Sequence, residues 1–331
     1  MSVFLESEKP RLSAFKATSP YFSDPARCEG YYKTKMRPHC LPRECAEQNL
    51  YPGIRDSAPA HFAQHEIKWH DGQNGKPSNH LCDSQVCCVN FLFPFADQPD
   101  ALAQVFRPIF PDLARMLPVE SGQYVSFEWI GEKNYLGEKI SRNGKRTRGA
   151  NYTSADAIVM FERGDGKKQI VLIEWKYTES YGGTFLKFAK SGTDRTAIYR
   201  HLFDPADCVI DKQSLPCFDD LFYEPFYQFM RQQFLAREME MAHEMRADIV
   251  SLLHIAPACN VDFRRVTSPG LAGLGNSATG IWAKLVKPEG RFLSVSTEQL
   301  FGQLRAEEMP EMKNWIEYIH DRYPWVNFHL I

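Results

Sequence analysis

From residue 122 to residue 177 the polar positions fall at intervals that predict β-strands. GQYVSFEWI alternates Tyr124, Ser126 and Glu128 against Val125, Phe127 and Trp129, the period-two signature of a strand with one apolar face. ADAIVMFE and QIVLIEWKY predict a second and third strand, joined by RGDGKK, a turn short enough for an antiparallel pair. Upstream, Ser57 followed by Pro59 marks a helix start into APAHFAQHEIKWH, which DGQNGKPSN breaks. A further helix is expected over HLCDSQVCCVNFLF. Downstream of Gly182 and Gly183, Thr193 or Asp194 can cap a helix through RTAIYRHLF. Glu224-Pro225 begins a longer helix, PFYQFMRQQFLAREMEMAHEM, with Phe226, Met230 and Phe234 on one stripe. ADIVSLLHIA reads as a buried fourth strand, and EEMPEMKNWIEYIHDRY as a helix near the C-terminus. Residues 1 to about 56 are rich in Pro, Tyr and Cys without a period, and are expected to form an irregular arm laid over the core. The expected organisation is an arm and helix at 1–70 packed on a domain at 71–331.

The apolar runs carry charges where an interior strand has no water to hydrate them. Asp156 opens one run, and Glu174 and Lys176 end the next. Residues i and i+2 of a strand share a face, so Glu174 and Lys176 are side by side, and the hairpin through Arg163, Gly164, Asp165 and Gly166 brings Asp156 alongside. A divalent metal ion is the simplest partner for such acids. Glu-x-Lys also occurs at Glu66/Lys68 and Glu311/Lys313, but there within amphipathic helical stretches, where charges two apart diverge around the helix.

Composition changes this picture little. The 331 residues are 44% hydrophobic and 24% charged, which is ordinary for a soluble globular chain of one large or two smaller domains. The stretch MSVFLESEKPRL lacks a basic-then-apolar signal pattern, and VCCVNFLFPFA is too short and too interrupted to span a bilayer, so a cytoplasmic location is expected, with no membrane partner. The nine cysteines are then expected as reduced thiols. A net charge of −2 excludes a sequence-indifferent DNA-coating protein, so contact with a polyanion must be local. The candidate is GEKISRNGKRTRGANYTSAD, where Lys139, Arg142, Lys145, Arg146 and Arg148 crowd a loop running into the strand of Asp156.

Helix, three strands, helices and strand, with Asp on the second strand and Glu-x-Lys on the third, resembles the PD-(D/E)XK nuclease superfamily over residues 78 to 256. SADAIV, LIEWKYTESYG, PFYQFMRQQ and the upstream DSQVCCVNF are similar to an uncharacterised restriction-endonuclease-like branch of it. The resemblance implies an α/β fold: an αβββαβ core with a central mixed sheet flanked by helices, here with the irregular N-terminal arm and a C-terminal extension. It implies Asp156 and Glu174 as ligands of magnesium, with manganese able to substitute, and Lys176 beside the attacking water. Ala155 stands where the name-giving proline would be. The acid expected on the first helix has only Asp83, with Gln85 nearby, to represent it, so the additional active-site acid is placed at Glu128, with Glu138 as rival. Arg146, Arg148, Gln228 and Arg231 are expected to contact the substrate backbone. The implied activity is metal-dependent hydrolysis of phosphodiester bonds, with DNA the expected polymer. Many such nucleases cut two strands as homodimers, so that arrangement stays open. The contrasting expectation is a noncatalytic nucleic-acid-binding or assembly protein that keeps the scaffold.

Hydroxide attack on an anion needs a Lewis acid to neutralise phosphate charge, which hard carboxylate oxygens can hold, with a main-chain carbonyl such as that of Trp175 as a third donor. A lysine beside it stabilises the developing charge. Other motifs point elsewhere and fail on context. His61 and His65 have zinc spacing, but Phe62 replaces the glutamate of the zinc-protease pattern. Cys28, His39, Cys40 and Cys45 lack paired CxxC knuckles. GLAGLGNSATG imitates a dinucleotide fingerprint at Gly273, Gly275 and Ala278, yet follows Pro269 rather than a strand and reads as a loop.

Overall fold

The computed structural model describes residues 2–139, 144–150 and 152–326. Its strands are β1 (Gly30–Tyr32), β2 (Lys35–Arg37), β3 (Leu113–Leu117), β4 (Val125–Trp129), β5 (Ala155–Arg163), β6 (Lys168–Trp175), β7 (Ile249–Ala256) and β8 (Phe292–Ser296). Its helices are α1 (Val3–Thr18), α2 (Ser57–Gln64), α3 (Ser84–Leu92), α4 (Pro99–Phe106), α5 (Thr196–Phe203), α6 (Phe226–Met241), α7 (Ala278–Leu285), α8 (Thr297–Phe301) and α9 (Lys313–Arg322).

β1 and β2 form a separate hairpin, and the other six strands form one sheet, five of them in the order β3-β5-β6-β7-β8 with β4 also paired to β5. β5 pairs antiparallel with β6, while β6–β7 and β7–β8 are parallel, so the sheet is mixed. β4 and β3 share the remaining edge of β5: β4 pairs along Ala155 to Val159 and β3 from Met160 onward. The expected α/β architecture, a central mixed sheet flanked by helices, is therefore the one the chain adopts.

Both faces of the sheet are covered, which is why β5, β6 and β7 read as continuous apolar runs. Val159, Phe161, Val171, Ile173, Trp175 and Ile255 pack with Leu12, Phe91, Leu102 and Trp315. Ile158, Met160, Ile170, Leu172 and Leu252 face the other way, against Tyr199, Phe229, Phe234 and Trp282. The stripe expected on α6 is buried at Phe226, Met230 and Phe234. α3 begins where Asp83 accepts the Val86 amide at 2.8 Å, an N-cap that satisfies one end of a helix otherwise sunk in the core.

The largest departure from expectation is at the N-terminus. Residues 3 to 18 are helical rather than irregular, although Pro10 lies inside the helix. The period was hidden because the buried stripe is Phe4, Glu8, Leu12 and Lys16, alternately apolar and charged. Each charge has a partner: Glu8 pairs with Arg11 at 2.6 Å and accepts the Tyr177 hydroxyl, and the Lys16 ammonium donates to the carbonyls of Cys28 (2.8 Å) and Cys40 (2.9 Å). α2 ends at Gln64 and Glu66 takes a left-handed φ of +53°, so the expected helix through Lys68 stops short. β3 and β8 carry little periodicity in sequence and are set by the sheet edges they complete.

The N-terminal segment, α3 and α9 are bolted together by a buried polar network. The Arg322 guanidinium, fully buried, donates to the Asn49 carbonyl (2.5 Å) and side chain, to the Tyr318 hydroxyl (2.6 Å) and to the Leu81 carbonyl (3.3 Å). Asn49 in turn donates to Ser78 O (2.7 Å) and His80 O (3.0 Å). Arg322→Met should leave these acceptors buried without a donor and lower stability by about 2–5 kcal/mol. Urea unfolding followed by tryptophan fluorescence would show this as a lower midpoint at unchanged slope, and an unchanged midpoint would contradict the bolting role.

Candidate active site

The acids converge because of strand register. Ala157 pairs with Ile173 across β5 and β6, and one further step sets Asp156 opposite Glu174. Lys176 stays in line with β6 because its amide donates to the Ile255 carbonyl at 2.8 Å, so two-residue periodicity keeps it on the face of Glu174. The Lys176 ammonium contacts Glu174 Oε1 and lies 3.9 Å from Asp156 Oδ2. Asp156 Oδ2 also accepts the Trp175 amide at 2.7 Å. The Trp175 carbonyl accepts the Ser84 hydroxyl at 3.3 Å.

Glu128 lies opposite Asp156 on the other side of β5, at a left-handed φ of +51°. A non-glycine residue there is strained, and strain of this kind persists where surrounding bonds over-determine it. Here they do. Glu128 is fully buried, accepts Gln85 Nε2 at 2.7 Å and the Ser154 hydroxyl at 2.9 Å, and has His70 Nε2 at 3.5 Å. Gln85 and Ser154 stand between it and solvent as lining residues of the cleft. The rival Glu138 is engaged elsewhere, by the amide of Thr153 (2.8 Å) and the Tyr199 hydroxyl (3.0 Å). Asp83 is used as the cap of α3, and its neighbour Gln85 is the residue that α3 sends into the site.

A cleft of about 430 Å³ opens over Asp156 and Lys176. Helix α6 supplies its far wall with Gln228, Arg231 and Gln232. Gln228 accepts the Tyr181 hydroxyl at 3.2 Å, and Arg231 donates to Thr153 Oγ1 at 3.3 Å with its guanidinium 4.6 Å over the Tyr227 ring. Gln232, absent from the expected set, donates to Glu174 Oε2 and to the Ser154 carbonyl (2.9 Å). Its signal was the i, i+4 spacing from Gln228, which stacks the two on one face of the helix. His70, also absent from the expected set, had no comparable signal.

The other expected substrate contacts lie apart. Arg146 donates to the carbonyls of Gly131 (3.2 Å) and Ile130, and Arg148 grips both Glu120 oxygens at 2.9 Å and the Phe127 carbonyl at 3.0 Å. Both line a second cleft, of about 490 Å³, with His65 and Trp129. Arg142 lies outside the described residues.

Electrostatics at the first cleft favour an additional cation. Burial, and then Asp156, push the Glu174 carboxyl up to about 7 against the opposing pull of Lys176 and Gln232. Burial likewise raises Asp156 and Glu128, each further raised by a neighbouring carboxylate. Lys176 is held well above its ordinary value: burial works against the ammonium, but Glu174, Tyr181 and Asp156 outweigh it. Two buried carboxyls, Glu128 and Glu174, and the half-buried Asp156 thus lie close together with one ammonium, which contacts Glu174 and lies 3.9 Å from Asp156. A hard divalent ion fits this donor set, since it would relieve the repulsion that raises the acids. Asp156 and Glu174 are the residues that could hold it, with Glu128 behind them.

A model of the family described as Restriction Endonuclease associating with ARP matches residues 9–324, nearly the whole chain. No curated protein and no solved structure matches. Among the described residues no helix is long and apolar enough to cross a membrane.

The raised acids have a consequence for stability. Native carboxyls here keep their protons to higher pH than the unfolded chain does, so between the ordinary carboxylate range and about pH 7 the native state binds more protons. The cluster therefore stabilises the fold at low pH and loses that contribution as pH rises through this window. Asp156→Asn, measured in chelator, should raise the thermal midpoint relative to wild type at pH 8 and do so much less at pH 5, a difference of about 1–3 kcal/mol. Equal effects at both pH values would refute the repulsion.

Proposed function

Because the chain belongs to the family Restriction Endonuclease associating with ARP, we propose that it is a metal-dependent nuclease hydrolysing phosphodiester bonds in DNA, with Asp156, Glu174 and Lys176 as its catalytic residues. The observation that carries this reading is one lysine set beside two carboxylates from adjacent strands, with Lys176 and Asp156 lining a solvent-open cleft and Glu174 buried beneath them. An ion pair that merely capped the sheet would have no use for a third buried acid or for the polar wall of α6 above it. The order α3, β4, β5, β6, α6, β7, with Asp156 on β5 and Glu174-x-Lys176 ending β6, supports membership of the PD-(D/E)XK superfamily. Ala155 in place of proline is compatible with this, since it is a buried strand residue paired with Trp129 and its side chain takes no part in the cleft.

Magnesium or manganese held by Asp156 and Glu174 would supply Lewis-acid stabilisation of phosphate charge and a water of lowered pKa. The chain's own groups do the rest. Lys176 remains an ammonium and points its donors into the cleft floor, where it can orient the attacking water and stabilise charge developing on the phosphate, worth about 2–4 kcal/mol for a well-placed donor. Gln232 fixes the rotamer of Glu174, leaving Oε1 to Lys176. Glu128 acts through Ser154 and Gln85 as a positioning residue, and the Trp175 amide aims Asp156. Arg231 and Gln228, on the opposite wall, are placed to receive a phosphate oxygen.

The test is cleavage of labelled duplex and single-stranded DNA with magnesium, manganese or chelator. Turnover is expected with either metal and not with chelator. Lys176→Ala should lower turnover by about 10²–10³-fold while leaving the dissociation constant for DNA within a few-fold of wild type. DNA binding without cleavage in any lane would establish a noncatalytic scaffold instead. Gln228→Ala leaves the acids and lysine intact and should raise KM more than it lowers kcat. The reverse pattern would remove it from substrate contact.

A further inference from the structure

A softer donor set lies outside the acid cleft. Ligand atoms of His39, Cys40 and His80 all fall within 4.8 Å of one another. The backbone builds this convergence: Cys40 and His80 form an antiparallel bridge, flanked by Leu41 N to Asn79 O at 2.8 Å and Leu81 N to His39 O at 3.1 Å. Asn79 locks the crossing from its side chain, donating to the carbonyls of Leu41 (2.6 Å) and Tyr31 (2.9 Å). The two imidazoles are inclined at 77° with centroids 5.0 Å apart, edge to face rather than stacked. Cys28 and Cys45, weighed in the sequence with His39 and Cys40 and set aside for want of paired CxxC knuckles, are not part of the cluster; His80, forty residues after Cys40, completes it instead.

We propose that His39, Cys40 and His80 bind one zinc ion, with its fourth position open to water. One thiolate and two imidazoles are the donor mixture zinc prefers, whereas magnesium avoids sulfur. Both imidazoles are available as neutral ligands, because burial first, and then nearby groups including Lys9, hold them well below the ordinary histidine range. His80 Nδ1 accepts the Cys82 amide at 3.2 Å, so zinc takes either that nitrogen by displacing the bond or Nε2 after the proton moves to Nδ1. Cys40 is a thiol pushed up to about 12 by burial, so forming the zinc–sulfur bond releases its proton to solvent. Lys9, Lys16 and Arg37 oppose a cation here, while Glu6 and Asp71 favour it.

The position gives the ion a role. His39 and His80 line a cavity of about 720 Å³ that shares His70, Ser84, Gln85 and Glu179 with the acid cleft, so the two are contiguous. A zinc cross-link would tie the segment after the β1–β2 hairpin to the turn entering α3, the helix that delivers Gln85 to Glu128. His61, His65 and Glu120 also converge, but Glu120 is already held by Arg148 and Ser126, so a cation there competes with a guanidinium.

Full-length protein stripped with chelator and given zinc chloride alone should retain one zinc per chain after gel filtration, with a higher thermal midpoint. Cobalt in its place should show a thiolate-to-cobalt charge-transfer band in the near ultraviolet, absent in Cys40→Ala. His80→Ala should lose the metal, whereas His65→Ala and Asp156→Asn should keep it, separating this site from the other histidine cluster and from the acids. Should Cys40→Ala fail to fold, the wild-type cobalt spectrum still decides. Absence of the thiolate band, or zinc lost in His65→Ala and kept in His80→Ala, overturns the assignment.

Discussion

The structure is organised around one electrostatic problem: three carboxyls and one ammonium at the ends of strands whose two faces are covered by apolar layers, with only Asp156 and Lys176 reaching a cleft. Glu128, Asp156 and Glu174 come from three adjacent strands, and Lys176 follows the last of them. None could remain in an apolar sheet without partners, since an unpaired buried charge costs several kcal/mol. Every neighbouring element contributes to the solution. Gln85 arrives from α3, Ser154 from the segment entering β5, and Gln232 from α6, each bonded to a carboxylate.

That arrangement explains why helices stand on both sides of the sheet's functional end. α3 and α6 lie in different core layers, yet both reach the same acids, so the cleft is clamped from two directions. The N-terminal helix joins the clamp from further out: Glu8 accepts the hydroxyl of Tyr177, the residue next to Lys176. Asn260, beyond β7, donates to the carbonyls of Tyr177 (2.9 Å) and Glu179 (3.0 Å) and holds the chain as it leaves the site. Lys176 therefore sits on backbone fixed by parts of the chain some 80 to 170 residues away.

The basic loop shows how charge in sequence differs from charge available to a ligand. Arg146 and Arg148 were read as a phosphate-binding arm, but their guanidiniums are spent on carbonyls and on Glu120. Arg231, from the middle of α6 and outside the basic loop, lines the wall of the acid cleft.

Much of the fold was legible in local pattern. The period-two run of β4, the continuous apolar runs of β5, β6 and β7 and the stripe of α6 were readable in the residues themselves, because strands and helices covered by a core show that cover in their apolar positions. The pairing of Asp156 with Glu174 and Lys176 was legible too, since hairpin register and two-residue periodicity are local rules. α1 was not, because its buried stripe includes Glu8 and Lys16, whose partners Tyr177 and Cys40 are distant in the chain. Nor was the convergence of His39 and Cys40 with His80, or the use of Gln232 on Glu174. The sequence by itself determined where charge would be trapped in the sheet, because burial of a strand is written in its own residues. Tertiary structure alone decided which groups answer that charge and which cations are already taken, because hydrogen-bond partners are chosen by proximity in space and proximity across the chain leaves no period to read.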